Sequence, residues 1–117
     1  METPILGERT DDGTVTVTVQ GEIDFSNADE VAQGIREAVA EWSPDTVWAD
    51  LKDATFIDST GLGALIEGYR AATESSTRFV VINPTPTFRR VLTVTGLCEL
   101  FGLSDSAALE PSEATGA

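Results

Sequence analysis

The sequence predicts an α/β fold: a mixed, mostly parallel sheet of four to five strands flanked by three main helices and a short C-terminal helix. Three observations carry that prediction. Apolar, β-branched runs alternate along the chain with segments whose apolar residues recur at helical spacing, in the order strand, helix, strand, helix, strand, helix, strand. The runs that follow helices are nearly continuous in apolar residues, as strands beneath covering helices should be. The helical segments are bracketed by Ser, Thr, Pro and Gly, which start and stop helices. A length of 117 residues fits one domain and allows burial of roughly two-thirds of the unfolded surface, enough for a core without covalent staples. A single domain over 1–110 is expected.

The first long strand is 14–20, T-V-T-V-T-V-Q, whose alternation puts Val15, Val17 and Val19 on one face. Asp11-Asp12-Gly13 before it reads as a turn. Ile5-Leu6 upstream would supply a short antiparallel partner. Gly21 to Phe25 is expected to end the strand and turn the chain. Ser26 precedes Asn27, Ala28 and Asp29 in a capping-box-like helix start, and Ala28, Val31, Ile35, Val39 and Trp42 follow on one helical face. Pro44 closes that helix, because the residue before a Pro avoids the helical region. A buried strand is expected at 46–51. A second helix then begins within 54–63 and is expected over 60–74, with Leu62, Leu65, Ile66, Tyr69 and Ala72 facing inward. The third core strand is 79–82. Thr85 is the expected cap of the third helix, Pro86 its first residue and Gly96 its stop. Phe88, Val91 and Leu92 are expected to bury that helix while Arg89 and Arg90 stay exposed. One more short strand is expected in 97–103 and a final helical turn or two in 104–109. The small, polar, acidic tail 111–117 is expected to be disordered.

Seven Lys plus Arg against twenty Asp plus Glu give a net charge of −13. That balance speaks against nucleic acid or anionic lipid as partner, since both reward a basic face. It suits a protein partner with a basic or mixed surface. The chain has no His and a single Cys, Cys98. No internal disulfide can form, Cys/His zinc sites are excluded, and every mechanism that needs a His base is removed. A reduced, cytoplasmic setting is expected. The first nine residues lack a signal-peptide pattern, and no run approaches the roughly 20 apolar residues that span a bilayer.

The most informative stretch is Asp58-Ser59-Thr60-Gly61-Leu62-Gly63, where an apolar run meets a helix start. Ser59 or Thr60 in that place serves either to cap the free N–H groups of the first turn or to offer a hydroxyl to another protein. Gly61, Gly63 and Gly68 each cost about 1 kcal/mol against Ala in a helix, so something must approach the backbone closely. Tight packing on the sheet is one reason; a surface flat enough for a partner to reach the hydroxyl is the other. A hydrolase nucleophile elbow needs Gly two places before the Ser, where Ile57 stands, and a His base, which the chain lacks. Phosphate-binding and dinucleotide fingerprints are absent at the Gly spacings present. Asp50 near a strand end raises a phosphoacceptor receiver domain, but no Lys follows Lys52 to hold an acyl phosphate. Asp11-Asp12-Gly13 lacks the spaced oxygens of a calcium loop. Glu22 and Asp24 form an acidic turn after the first long strand; Asp24 helps to shape a site with Ser59 only if the two share one end of the sheet. Trp42 and Trp48 read as core or rim.

Three motifs in order resemble the anti-sigma-factor antagonists, the STAS domains of bacterial partner-switching systems. Gly21-Glu22-Ile23-Asp24 is similar to the family's G-E-[LI]-D turn. The stretch Phe56-Ile57-Asp58-Ser59-Thr60-Gly61-Leu62-Gly63 is similar to its D-S-[ST]-G-L-G segment. Residues 86–97, closing in Thr95-Gly96-Leu97, resemble its third helix. The resemblance spans roughly 14–110 and implies a protein that is a substrate and not an enzyme. It implies phosphorylation at Ser59, with Thr60 as a secondary site, by a serine kinase that is also the anti-sigma factor, and reversal by a phosphatase. Glu22, Asp24, Asp58, Ser59, Thr60, Gly61, Leu62 and Gly63 are the implied partner surface. No cofactor or metal is implied; a weak homodimer is compatible with the resemblance. A STAS scaffold outside transcription and a Ser59-dependent hydrolase are the competing readings, the latter opposed by the missing His.

Overall fold

The computed structural model describes residues 4–10 and 12–102. The Thr-Val alternation forms β2 (Thr14–Ile23), in which Val15, Val17 and Val19 are buried and the threonines between them are partly exposed. β1 (Ile5–Arg9) lies antiparallel to it, with Ile5 opposite Val19 and Arg9 opposite Val15. β3 (Thr46–Ile57) and β4 (Arg78–Ile82) run parallel to β2, in the sheet order β1-β2-β3-β4. The mostly parallel sheet is therefore as expected, and its fourth strand is the N-terminal one.

Two strands outrun their sequence signal. Gly21 does not end β2. It sits at φ 79°, a left-handed conformation that glycine adopts without penalty, beside a register shift between Gly21 and Glu22. The irregularity bends the strand and lets it continue to Ile23. β3 runs past Leu51 to Ile57 for the same reason: its far half, with Asp53, Ala54, Phe56 and Ile57, pairs with the extended end of β2. That half is too polar to read as a buried strand.

α1 (Ala28–Trp42) buries Ala28, Val31, Ala32, Ile35, Ala38 and Val39, with Trp42 half-buried. Its first turn differs from the expected capping box. Asn27 holds the cap position without a side-chain cap bond. The Ser26 amide and hydroxyl both donate to the Asp24 carboxylate, at 2.9 and 2.6 Å, so Ser26 belongs to the turn before the helix. α2 (Ser59–Glu74) buries Gly61, Ala64, Leu65, Gly68 and Ala72, while Leu62, Ile66 and Tyr69 are half-buried against the core. A Cβ on Gly68 would lie 2.7 Å from Ile35 Cδ1, so Gly68 serves close packing of α1 on α2.

α3 (Pro86–Thr95) starts as expected. The Thr85 hydroxyl accepts from the Phe88 amide at 3.2 Å, Pro86 opens the first turn, and Gly96 ends the helix at φ 76°. Phe88 and Leu92 are buried and Arg89 and Arg90 are exposed, but Val91 is 38% exposed and not part of the buried face. It follows Arg90 on the outer side, and one helical turn from Phe88 already reaches Leu92.

The strand expected in 97–103 is not formed over its described residues, 97–102, which are turns. The Leu97 amide folds back to donate to Leu92 O at 2.8 Å, which closes α3 and reverses the chain. The apolar residues of this run serve as a plug. Phe101 is fully buried and meets Tyr69 and Phe79 edge-on, with ring centroids 6.4 and 5.8 Å away. Phe101 O accepts from the Val81 amide at 2.8 Å on the outer edge of β4, with no ladder formed there among the described residues. The helical turn expected in 104–109 and the tail 111–117 lie outside the described residues.

Candidate functional site

The site grows out of the parallel register of β2 and β3. Ile23 pairs with Ile57 at the last rung, and the Asp58 amide donates to Ile23 O at 3.1 Å. Asp24 and Asp58 therefore leave neighbouring strands side by side, at the carboxyl end of a parallel sheet, where α/β folds place their ligands. The Asp24 turn and Ser59 share one end of the sheet, which the sequence left as a condition.

Asp58 is the N-cap of α2. Its Oδ1 accepts from the amides of Thr60 at 2.9 Å and Gly61 at 3.0 Å, and from the Thr60 hydroxyl. These bonds, the Thr60 hydroxyl first and the Gly61 amide next, hold its carboxyl below the usual carboxylate range. Capping is thus done by Asp58, not by Ser59 or Thr60. Thr60 is a supporting group whose hydroxyl is already engaged. Ser59 is exposed, and no hydrogen bond among the described residues holds its hydroxyl.

Each neighbour has its own reason to be there. A Cβ on Gly61 would stand 2.7 Å from Ile57 Cγ2 and 2.9 Å from Ile23 Cγ2. Glycine here lets the helix start rest directly on the two strand ends. Leu62 is half-buried beside it. Gly63 is different: a Cβ there would meet nothing within 4 Å. Glu22 is exposed on β2, paired with Phe56, itself 55% exposed. The Asp24 turn is closed by Asn27, whose Oδ1 accepts from the Asp24 amide at 2.9 Å and whose amide nitrogen donates to Glu22 O at 2.8 Å. Sequence reading missed Asn27 in this role; its signal is an Asn three places after an Asp in a turn. Phe25 was also passed over, and it is 82% exposed.

Asp50 is set apart from this cluster. It is buried on β3 between Thr18 and Ile82, and its carboxylate accepts from the Lys52 amide and Asn83 Nδ2, at 3.0 and 3.2 Å, with Lys52 Nζ 3.8 Å away. A carboxylate so engaged is not presented as a phosphoacceptor. No group of His, Cys, Asp and Glu among the described residues is arranged to hold a metal ion. No described helix is long and apolar enough to cross a membrane.

At this end of the sheet the exposed Ser59 hydroxyl stands at the N-terminus of α2, next to the Asp58 cap and at the same sheet end as the Asp24 turn. The STAS domain family model matches residues 8–114, and the chain belongs to that family. An anti-sigma F factor antagonist of Lysinibacillus sphaericus is 29% identical over 84 residues, 72% of each chain. The anti-sigma factor antagonist SpoIIAA in its unphosphorylated form superposes with a TM-score of 0.71 at 25% identity, covering 82% of this chain and 84% of that one. The phosphorylated form of Bacillus SpoIIAA gives 0.66 at 25% identity, over 82% and 86%. An anti-sigma factor antagonist from Mycobacterium paratuberculosis is 34% identical with a TM-score of 0.68, over 83% and 80%.

Proposed function

We propose that this STAS domain is an anti-sigma factor antagonist controlled by phosphorylation of Ser59. Unmodified, it binds an anti-sigma factor serine kinase and releases the sigma factor; phosphorylated, it no longer binds. The observation that carries this reading is the state of the hydroxyls at the site. Those of Thr60 and Ser26 are engaged by Asp58 and Asp24, and that of Ser59 is exposed without a partner among the described residues. The kinship with antagonists, one of them known in a phosphorylated form, supports it.

The chain has no His to act as base for a nucleophilic Ser59, and in this reading the hydroxyl receives its phosphate through chemistry supplied by the partner. A phosphate on Ser59 adds about −1.5 to −2 charges and three acceptor oxygens. The N-terminus of α2 can hold an anion without unfolding, because its first-turn amides and dipole favour one. Two of those amides are already taken by Asp58. The new dianion therefore sits beside a fixed carboxylate and meets the kinase's bound nucleotide phosphates across the interface. Desolvating it there opposes binding, and each 1.4 kcal/mol or so of penalty is tenfold in affinity. Thr60 is a poorer acceptor, because its hydroxyl is already donated to Asp58. A phosphatase resets the switch. The partner is a protein in the cytoplasm, and neither nucleic acid nor membrane is engaged directly.

The test is intact-mass analysis after incubation with ATP and the kinase, with site mapping. One phosphate on Ser59, absent in Ser59→Ala, is expected, while Ser59→Ala still binds the kinase in calorimetry. A folded Ser59→Ala that does not bind, or a phosphorylated chain that binds as tightly as the unmodified one with the same nucleotide, would refute the proposal.

A further inference from the structure

Beside the switch lies a groove between α1 and α2, with an open volume of about 410 Å³. Ala28 and Ala32 line it from α1, and Gly63 and Ala64 from α2, so its floor is shallow and apolar. Phe25 stands at its edge with 82% of its surface exposed, the most exposed large apolar side chain among the described residues. Thr60 lines the same groove, which makes it continuous with the Ser59 turn.

Two features of this groove have no internal explanation. An aromatic ring left in water forgoes the stabilisation that burial gives a large apolar side chain. Glycine at position 63 costs helix stability, and unlike Gly61 and Gly68 it accommodates no neighbour, for a Cβ would meet nothing within 4 Å. Both make sense if the missing neighbour belongs to another molecule. The charge around the groove says which kind. Asp29 and Glu67 line it, with Arg36 as the cation in the lining and Arg70 3.7 Å from Glu67 at the rim, and Asp24 and Asp58 precede the lining residues Phe25 and Thr60, so carboxylates outnumber cations around it.

We infer that the α1–α2 groove is the docking site for a basic amphipathic helix of the anti-sigma factor. One aliphatic or aromatic residue of that helix fills the space over Gly63 against Phe25, and flanking Lys or Arg side chains face Asp29 and Glu67. The inference rests on the function proposed above and deepens it by dividing the interface in two. The Ser59 turn faces the nucleotide and carries the switch. The adjoining groove carries partner choice, with Phe25 as its aromatic anchor.

Isothermal calorimetry with the full chain and the kinase that phosphorylates it, in ADP, tests this with Phe25→Ala and Gly63→Leu. Each is expected to weaken binding at least tenfold. Phe25→Ala should melt at the wild-type temperature, and Gly63→Leu at the same or a higher one, because leucine favours the helix over glycine and its Cβ meets nothing within 4 Å. Wild-type affinity should fall as salt is raised, and less so in Asp29→Asn/Glu67→Gln. Both single variants binding within twofold of wild type would overturn the groove assignment, and a salt-independent affinity would overturn the basic partner. A wild-type chain that binds no anti-sigma factor would instead remove the function on which the inference stands. Intact Ser59 phosphorylation with unimpaired groove variants would leave that function standing alone.

Discussion

Replacing Gly61 by alanine sets two known effects against each other at the heart of the site. Alanine gains about 1 kcal/mol over glycine from helix propensity. The added methyl, however, would lie 2.7 Å from Ile57 Cγ2, 2.9 Å from Ile23 Cγ2 and 3.3 Å from Ile23 O. Comfortable carbon–carbon contacts lie at roughly 3.5–4.0 Å. Ile23 is only 1% exposed and its carbonyl holds the Asp58 amide, so neither side chain nor backbone can yield freely. Overpacking of this kind costs about 1–3 kcal/mol. The steric term wins, and Gly61→Ala should be less stable than wild type by about 1 kcal/mol, or about 4–8 °C in melting temperature for a domain near this size. Gly63→Ala, with the same propensity gain and no neighbour, should be more stable by up to about 1 kcal/mol. Urea unfolding followed by circular dichroism measures both, provided the slopes match. A Gly61→Ala protein as stable as wild type, or a Gly63→Ala protein less stable, would refute the reasoning.

Other outcomes follow from the same geometry. Leu92→Ala should cost about 2–5 kcal/mol, as a fully buried leucine does, whereas Val91→Ala should stay within about 0.5 kcal/mol; equal losses in denaturant titrations would contradict the observed face of α3. Phe101→Ala should cost about 3–5 kcal/mol by opening the space against Tyr69 and Phe79, and a loss below 1 kcal/mol or so in urea unfolding would show that the turn is not part of the core. The Asp58 carboxyl is held below its unfolded value near 3.8, so its contribution is present above that pH and fades as pH falls through the folded value. Asp58→Asn should therefore narrow its stability gap to wild type below about pH 4, and a gap that is constant from pH 7 to 3 would rule out the cap as a charged acceptor.

The fold was legible wherever one periodicity dominated. The Thr-Val alternation of 14–20 and the Thr85, Pro86 and Gly96 signals were enough to place β2 and α3. What escaped was structure created by pairing. Residues 52–57 carry a Lys, an Asp and a Thr and become strand because the bulged end of β2 supplies a partner. The run 97–102 has a strand's composition, but its apolar residues fill a gap at the edge of β4, a demand that no local pattern contains. At the site, the strand-to-helix junction at Asp58-Ser59-Thr60 could be read in advance. The division of labour within it could not. Ser, Thr and Asp are all good caps by type, and only the hydrogen-bond geometry assigns that work to Asp58. Gly61 and Gly63 are likewise the same letter in sequence, one pressed on two isoleucines and the other facing open space.

The pairing of Ile23 with Ile57 makes the surface around Ser59 a discontinuous epitope. Its two halves belong to segments separated by the whole of α1, and they touch only once two parallel strands have met in one register. A linear peptide spanning 54–66 carries the acceptor serine but neither the Asp24 turn nor Phe25, so it cannot compete with the folded chain for a partner that reads both. Under the function proposed above, recognition would double as proofreading of assembly: a newly made or partly unfolded copy, or one whose β3 has slipped by a residue, would not be read by the partner until the sheet is complete.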